Sequence, residues 1–219
     1  MRTIKLLPAV AMLVAGAAVP ATAQAAETDA TMQAAEYYTG QAFGIAASVD
    51  LLGPIVVPAQ PDTGAISTAV DLTTDTACTA SVDAIVADVE ALCPSVTVDT
   101  AAGTVVSETT IEGASVNLLG APAIAIEDLT VTAAASCEKV SGDTDLTLRI
   151  GDQVILVDDP NVSIEIPGGE VVVNQQKPTD SGIGIDVTAV VVKLDGIADI
   201  EIGHAEAAAH GCLTAPPQS

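Results

Sequence analysis

Three short turn sequences constrain this chain more than any other feature. "LTLRIGDQVILV" places Gly151-Asp152 between two apolar runs, with Leu146, Leu148 and Ile150 alternating against Thr147 and Arg149. "VSIEIPGGEVVVN" sets Gly168-Gly169 between Val162/Ile164/Ile166 and Val171/Val173, and "VVVKLDGIADIEI" sets Asp195-Gly196 between two further runs. Two-residue joints rich in glycine suit the primed turns whose twist matches a pair of strands. Apolar residues at every second position then line one face of each strand. Three such hairpins close together predict an antiparallel sheet.

The rest of the chain extends that reading. "SVTVDTAAGTVVSETTIEG" reads as a hairpin with a longer loop, and "APAIAIEDLTVTAAASC" as another strand pair. Residues 183–194 are apolar on both faces, as in a central strand covered on both sides. Many short strands with frequent turns predict an all-β fold, an antiparallel β-sandwich. One segment departs from the period of two. In "SVDAIVADVEALC", Val82, Ile85, Val86, Val89 and Leu92 fall at helical spacing with Ser81 placed to cap them, which predicts one short helix over 82–92.

The N-terminal end reads as an export signal. Arg2 and Lys5 precede an apolar run, and Ala21-Thr22-Ala23 supplies small residues for cleavage. The run is shorter than the ~20 residues of a membrane span. Residues 1–23 are therefore expected to be removed, 24–41 to form a small, Ala-rich leader, 42–213 a single β-rich domain, and 214–219 a disordered tail without an anchor. The expected location is secreted, extracellular or at the cell surface, with no membrane span in the mature chain.

Charge narrows the partners. The chain has 29 acidic residues against 6 basic ones, a net charge of −23. Loss of Arg2 and Lys5 leaves Lys139, Arg149, Lys177 and Lys193 as the only fixed cations. Like charge then repels nucleic acid and anionic membrane surfaces. Tyr37, Tyr38 and Phe43 are the only aromatic residues. The core must come from Val, Ile, Leu and Ala, and the large rigid contact area of a typical sugar-binding site is missing.

Cys78, Cys93, Cys137 and Cys212 are an even set in an exported chain and predict two disulfides. Three pairings are possible, and the compact segment bracketed by Cys78 and Cys93 favours Cys78–Cys93 with Cys137–Cys212. On the chain-entropy model such bridges contribute about 3 and about 4.5 kcal/mol. No close cysteine pair of the kind zinc uses is present.

"IEIGHAEAAAHGC" holds both histidines of the chain. On a continuing strand His204, Glu206 and His210 share one face, the one arrangement that would let them ligate a metal and serve a hydrolase. The spacing is not that of a helical His-Glu-x-x-His site. The alternative is a strand end that delivers Cys212 to its partner. Asp143 and Asp145, and Asp158 and Asp159, place hard oxygen ligands in turn-like segments, as calcium prefers, but without the spacing of a calcium loop. Asn161-Val162-Ser163 after Pro160 reads as a turn. Asn174, at the end of "VVVN", is placed to satisfy loose backbone groups of a neighbouring strand. No G-x-S-x-G elbow is present, so no enzyme is expected.

Four features taken in order, the signal-like N-terminus, "AFGIAASVDLLG", "VVVNQQ" and "VTAVVVKLDGIADIEIGHAEAAAHGC", resemble the choice-of-anchor P family of secreted bacterial proteins over residues 42–212. The resemblance implies one extracellular β-rich domain without a catalytic set, with Asn174 and Gln176 matching a recurring Asn-x-Gln. The expectation is an exported structural or interaction module of unknown partner. Its rivals are a metal-assisted hydrolase using His204, Glu206 and His210, and a calcium-stabilised surface domain.

Overall fold

Inward-facing residues change parity once along six of the long strands, three in each of two sheets. The computed structural model describes residues 36–50, 53–75, 78–84, 87–117, 121–157 and 159–212. The predicted signal, the tail from 214 on and Asp158 lie outside the described residues. The described residues belong to one compact unit. The described residues contain fourteen strands and no helix.

Two antiparallel sheets pack face to face. The first has the order β11-β12-β13-β14-β1-β2, with β3 also paired to β1. Its members are β1 (Tyr37–Asp50), β2 (Pro54–Asp62), β3 (Ile66–Thr68), β11 (Val162–Ile166), β12 (Gly169–Pro178), β13 (Ile183–Leu194) and β14 (Ala198–His210). The second has the order β10-β9-β8-β7-β6-β4, with β5 also paired to β6. It comprises β4 (Leu72–Asp75), β5 (Thr79–Ala84), β6 (Ala87–Asp99), β7 (Thr104–Val116), β8 (Ile124–Ser136), β9 (Val140–Ile150) and β10 (Gln153–Ile155). The first and last strands pair, with Tyr37 opposite His210.

The hairpins follow their turn chemistry with two adjustments. Gly151-Asp152 joins β9 to β10, with Ile150 opposite Gln153. The β11–β12 turn is Pro167-Gly168, one residue earlier than the glycine pair suggests. Gly168 takes the positive φ of 80°, and Gly169 already faces Ile166 in the ladder. A Cβ on Gly169 would lie 2.0 Å from the Lys193 carbonyl oxygen, so β12 approaches β13 too closely there for a side chain. The β13–β14 turn has three residues, 195–197, rather than two.

The parity change explains the failed helix. In β6, Val89 and Leu92 are both buried, with Ala91 between them at φ 50°. Ile111 and Ala114 make the same step in β7, and Ile126 and Leu129 in β8, where Asp128 has φ 53°. Bulge-like residues of this kind re-aim the side chains that follow. A strand that steps its buried residues by three imitates helical spacing. The described residues of 82–92 are therefore strand rather than the expected helix. Described residues on either side of 85–86 form the ends of paired strands β5 and β6, with Val82 opposite Val89 and Thr79 opposite Leu92. The β-branched valines suit that pairing. The expected leader is also shortened, because its last residues, from Tyr37, already form β1.

In the first sheet the step falls between Ala42 and Ile45 on β1, Ile202 and Ala205 on β14, and Ala189 and Val190 on β13. Ala42 lies opposite Ala205, and Ile45 opposite Ile202. The two lines of irregularity face each other through glycine. A Cβ on Gly44 would meet Leu92 at 2.2 Å, and one on Gly203 (φ 66°) would meet Leu129 at 2.7 Å. Leucines of one sheet thus enter gaps left by glycines of the other, closing a core built without tryptophan.

Two disulfides finish the frame. Cys78–Cys93 ties the start of β5 to β6, and Cys137–Cys212 ties the β8–β9 turn to the end of β14, closing separations of 15 and 75 residues. Bonds of this kind belong to oxidising compartments. No helix among the described residues is long and apolar enough to cross a membrane.

Candidate functional site

The outer face of the first sheet gathers the chain's most unusual polar groups, next to the parity change. After the step at Gly203, the even-numbered residues of β14 turn outward. His204, Glu206, Ala208 and His210 therefore share that face, as strand alternation predicts. Neighbouring strands place Phe43 and Thr188 beside His204, and Gln41 and Asp186 beside Glu206. Lys177 of β12 extends the second row past Asp186.

His204 is a packed residue. Its ring stacks on Phe43 with centroids 4.4 Å apart and planes 13° from parallel. Its Nδ1 lies 3.2 Å from the Thr188 hydroxyl and 3.7 Å from Asp186 Oδ1. Burial pushes its pKa below the usual histidine value, with Asp186 and Asp62 opposing and Lys177 reinforcing that shift. One ring nitrogen thus faces both polar neighbours. In a nucleophile–histidine–acid relay the two nitrogens serve different partners. Thr188 is also only 3% exposed, which hides its hydroxyl from any substrate.

His210 has a different set of contacts. It stacks on Tyr37 at 4.5 Å and 7°, and its Nε2 lies 2.9 Å from the Thr39 hydroxyl. The β12–β13 connection folds over it so closely that a Cβ on Gly182 would lie 2.6 Å from Nδ1. The two histidines stand six residues apart on one strand, about 20 Å at the rise of a β-strand. A single metal ion cannot bridge that gap with Glu206 between them. His204, Glu206 and His210 share a face and do not converge.

The carboxylates between the histidines form a frustrated pair. Asp186 and Glu206 are direct cross-strand partners, an arrangement that costs energy when both are charged. Glu206 is pushed above the usual carboxylate value, first by burial and then by Asp186 and Asp180. Glu201, nearer the β13–β14 turn, is raised by burial and by Asp199 and Asp186. Lys177, Asp180, Asp186 and Glu206 line a cleft of about 310 Å³ under the β12–β13 connection. A cavity of about 440 Å³ lies by the β13–β14 turn between Ser48, Asp50, Lys193 and Asp199, and no histidine lines it.

The calcium candidates are spread out. Asp143 and Asp145 are exposed on β9, opposite Thr132 and Thr130 of β8, and Asp159 is exposed in the turn before β11. Among the described residues no group of three His, Cys, Asp or Glu side chains is placed to hold a metal.

Asn174 and its neighbours have a structural arrangement that spans the two sheets. Asn161 (φ 58°) donates its backbone N–H to the Asn174 carbonyl at 2.8 Å and accepts the Gln176 N–H on Oδ1 at 2.9 Å. The Gln176 side-chain amide donates to Asn174 Oδ1 at 2.9 Å and to the Gly142 carbonyl of β9 at 3.2 Å. Gln176, rather than Asn174, reaches the neighbouring strand, and Asn174 orients it. Sequence reasoning also passed over Ser107 and Thr109. Both alternate in phase with Val105 and Ile111, which marks them as polar residues on the core face, and both are fully buried.

No family model, no curated protein and no solved structure matches this chain.

Proposed function

We propose that this protein is exported, loses residues 1–23, and works outside the cytoplasm as a non-enzymatic interaction module held by its two disulfides. The observation that carries the reading is the commitment of both histidines to stacking and hydrogen bonding within the sheet. Neither histidine is thereby held beside an exposed nucleophile as its general base. Two oxidised cysteine pairs and an apolar N-terminal run support export. The surplus of acidic residues favours basic protein surfaces over nucleic acid as partners. The resemblance to the choice-of-anchor P family points the same way.

Fractionation of cells making the full chain, with intact-mass analysis of each fraction, tests export and oxidation. The expected species begins after Ala23 and carries four oxidised cysteines outside the cytoplasm. An uncut, reduced cytoplasmic chain overturns the reading. So does hydrolysis of chromogenic ester, phosphate or glycoside substrates that His204→Ala removes.

A further inference from the structure

Twice in this fold, one flank of a long strand is filled by two shorter strands laid end to end. β2 and β3 share one side of β1, pairing at residues 43–50 and 38–40. β4 and β5 share one side of β6, at 95–98 and 87–92. β9 breaks the pattern. On its outer flank β10 covers only 148–150, and among the described residues no strand pairs with 140–147 there.

The comparable edges of the first sheet are closed by their own chemistry. β2 carries Pro54, Pro58 and Pro61, none of which has an N–H to offer. β12 beyond the reach of β11 is capped by Asn161 and ends at Pro178. β9 has no proline. Ladder alternation turns the backbone groups of Gly142, Thr144 and Leu146 to the same side as those of Leu148, away from β8. Of these groups, the Gly142 carbonyl has the Gln176 amide as its partner.

The side chains on β9 specify what fits beside it. Asp143 and Asp145 are both exposed and project from the outer face two residues apart. On the other face Val140 is 38% exposed and Leu146 half-buried. A second copy of this chain is a poor occupant, because antiparallel pairing of two β9 edges sets aspartates against aspartates. We propose that the open flank of β9 receives, by strand addition, an extended segment of a protein partner with Lys or Arg at alternate positions and small or apolar residues between. Backbone hydrogen bonds supply the affinity in this mode, and alternate side chains the selectivity. This deepens the interaction-module reading and rests on it.

The test titrates the full oxidised protein with a short synthetic peptide alternating lysine and valine. Amide exchange is followed residue by residue, and two controls accompany it: the same peptide N-methylated at alternate backbone positions, and a glutamate-for-lysine version. The expected result is saturable binding that protects the Thr144 and Leu146 amides and is abolished by N-methylation. The variant D143K/D145K should bind the lysine peptide about tenfold more weakly, the loss expected for two cross-strand charge pairs, and should prefer the glutamate peptide. Binding that survives N-methylation or leaves the Thr144 and Leu146 amides unprotected is charge adsorption and overturns the proposal, as does no binding at all. The peptide controls need no destabilising variant, so a folding failure cannot obscure the answer. Failure here with an exported, oxidised, inactive protein removes the β9 edge and leaves the module reading intact, whereas a cytoplasmic or hydrolytic protein removes that reading first.

Discussion

The Thr109 hydroxyl on β7 donates across the sandwich to the His204 carbonyl of β14 at 2.9 Å, with the Phe43 carbonyl of β1 also within reach at 3.3 Å. Ser107, one step along the same face, donates to the Glu206 carbonyl at 2.5 Å. These carbonyls turn inward where the strands change parity, and the two hydroxyls satisfy them. Thr109→Val keeps the shape and deletes the donor. The expected cost is about 1–3 kcal/mol, seen as a melting temperature lowered by about 2–4 °C per kcal/mol for a domain of this size. Thr109→Ser keeps the hydroxyl and should cost less. Equal melting of wild type and Thr109→Val would show that the bond contributes nothing net.

Glu206→Gln is expected to stabilise the protein at neutral pH by about 0.2–1 kcal/mol, because it ends the repulsion with Asp186 across β13 and β14 while solvent screens part of the effect. Glu206 has its folded pKa above the unfolded value. Its contribution is therefore fully present below the ordinary glutamate pKa and is lost as pH rises through the raised one. The advantage of the variant should shrink as pH falls through that window, measured by urea unfolding across acid to neutral pH. A gain that is independent of pH would assign it to something other than the carboxyl pair.

His204 has the opposite sign. Its folded pKa lies below 6.5, so the folded state binds its proton less readily than the unfolded chain does. Stability is then lost as pH falls from about 6.5 towards the folded value, and the loss is complete below it. NMR titration of the ring should show His204 neutral at pH 6.5. A His204→Gln variant should lack this acid destabilisation, while Glu206, whose raised pKa works the other way, still adds stability as pH falls. A ring already charged at pH 6.5 contradicts the assignment.

Replacing both Cys137 and Cys212 by serine opens a closure of 75 residues, and replacing Cys78 and Cys93 opens one of 15. The chain-entropy relation gives losses of about 4.5 and about 3 kcal/mol. Denaturant unfolding of the two double variants should rank them in that order. The reverse order would show that strain or residual structure outweighs loop length.

The hairpins of β9 to β14 were legible because glycine joints and a period of two are local signals, encoded within a few residues. The same locality misled at 82–92. There Val89 and Leu92 are three apart and both inward, which is helical spacing when read alone and a bulged strand once Val82 lies opposite Val89. The shared face of His204, Glu206 and His210 was equally readable from strand alternation. That Phe43, Thr188 and Asp186 surround His204 was not, because each comes from a strand remote in sequence.

Turn chemistry, strand period and cysteine count act at short range, and they suffice to specify an antiparallel all-β chain with four pairable cysteines. Where strands change parity, why Gly44 and Gly203 must lack side chains, and which flank of β9 lacks a paired strand among the described residues became visible in the packed fold alone. Those depend on Leu92 and Leu129 of one sheet meeting the other, and on strands distant in the chain lying side by side. Packing between remote segments settles such matters, and no local pattern encodes it.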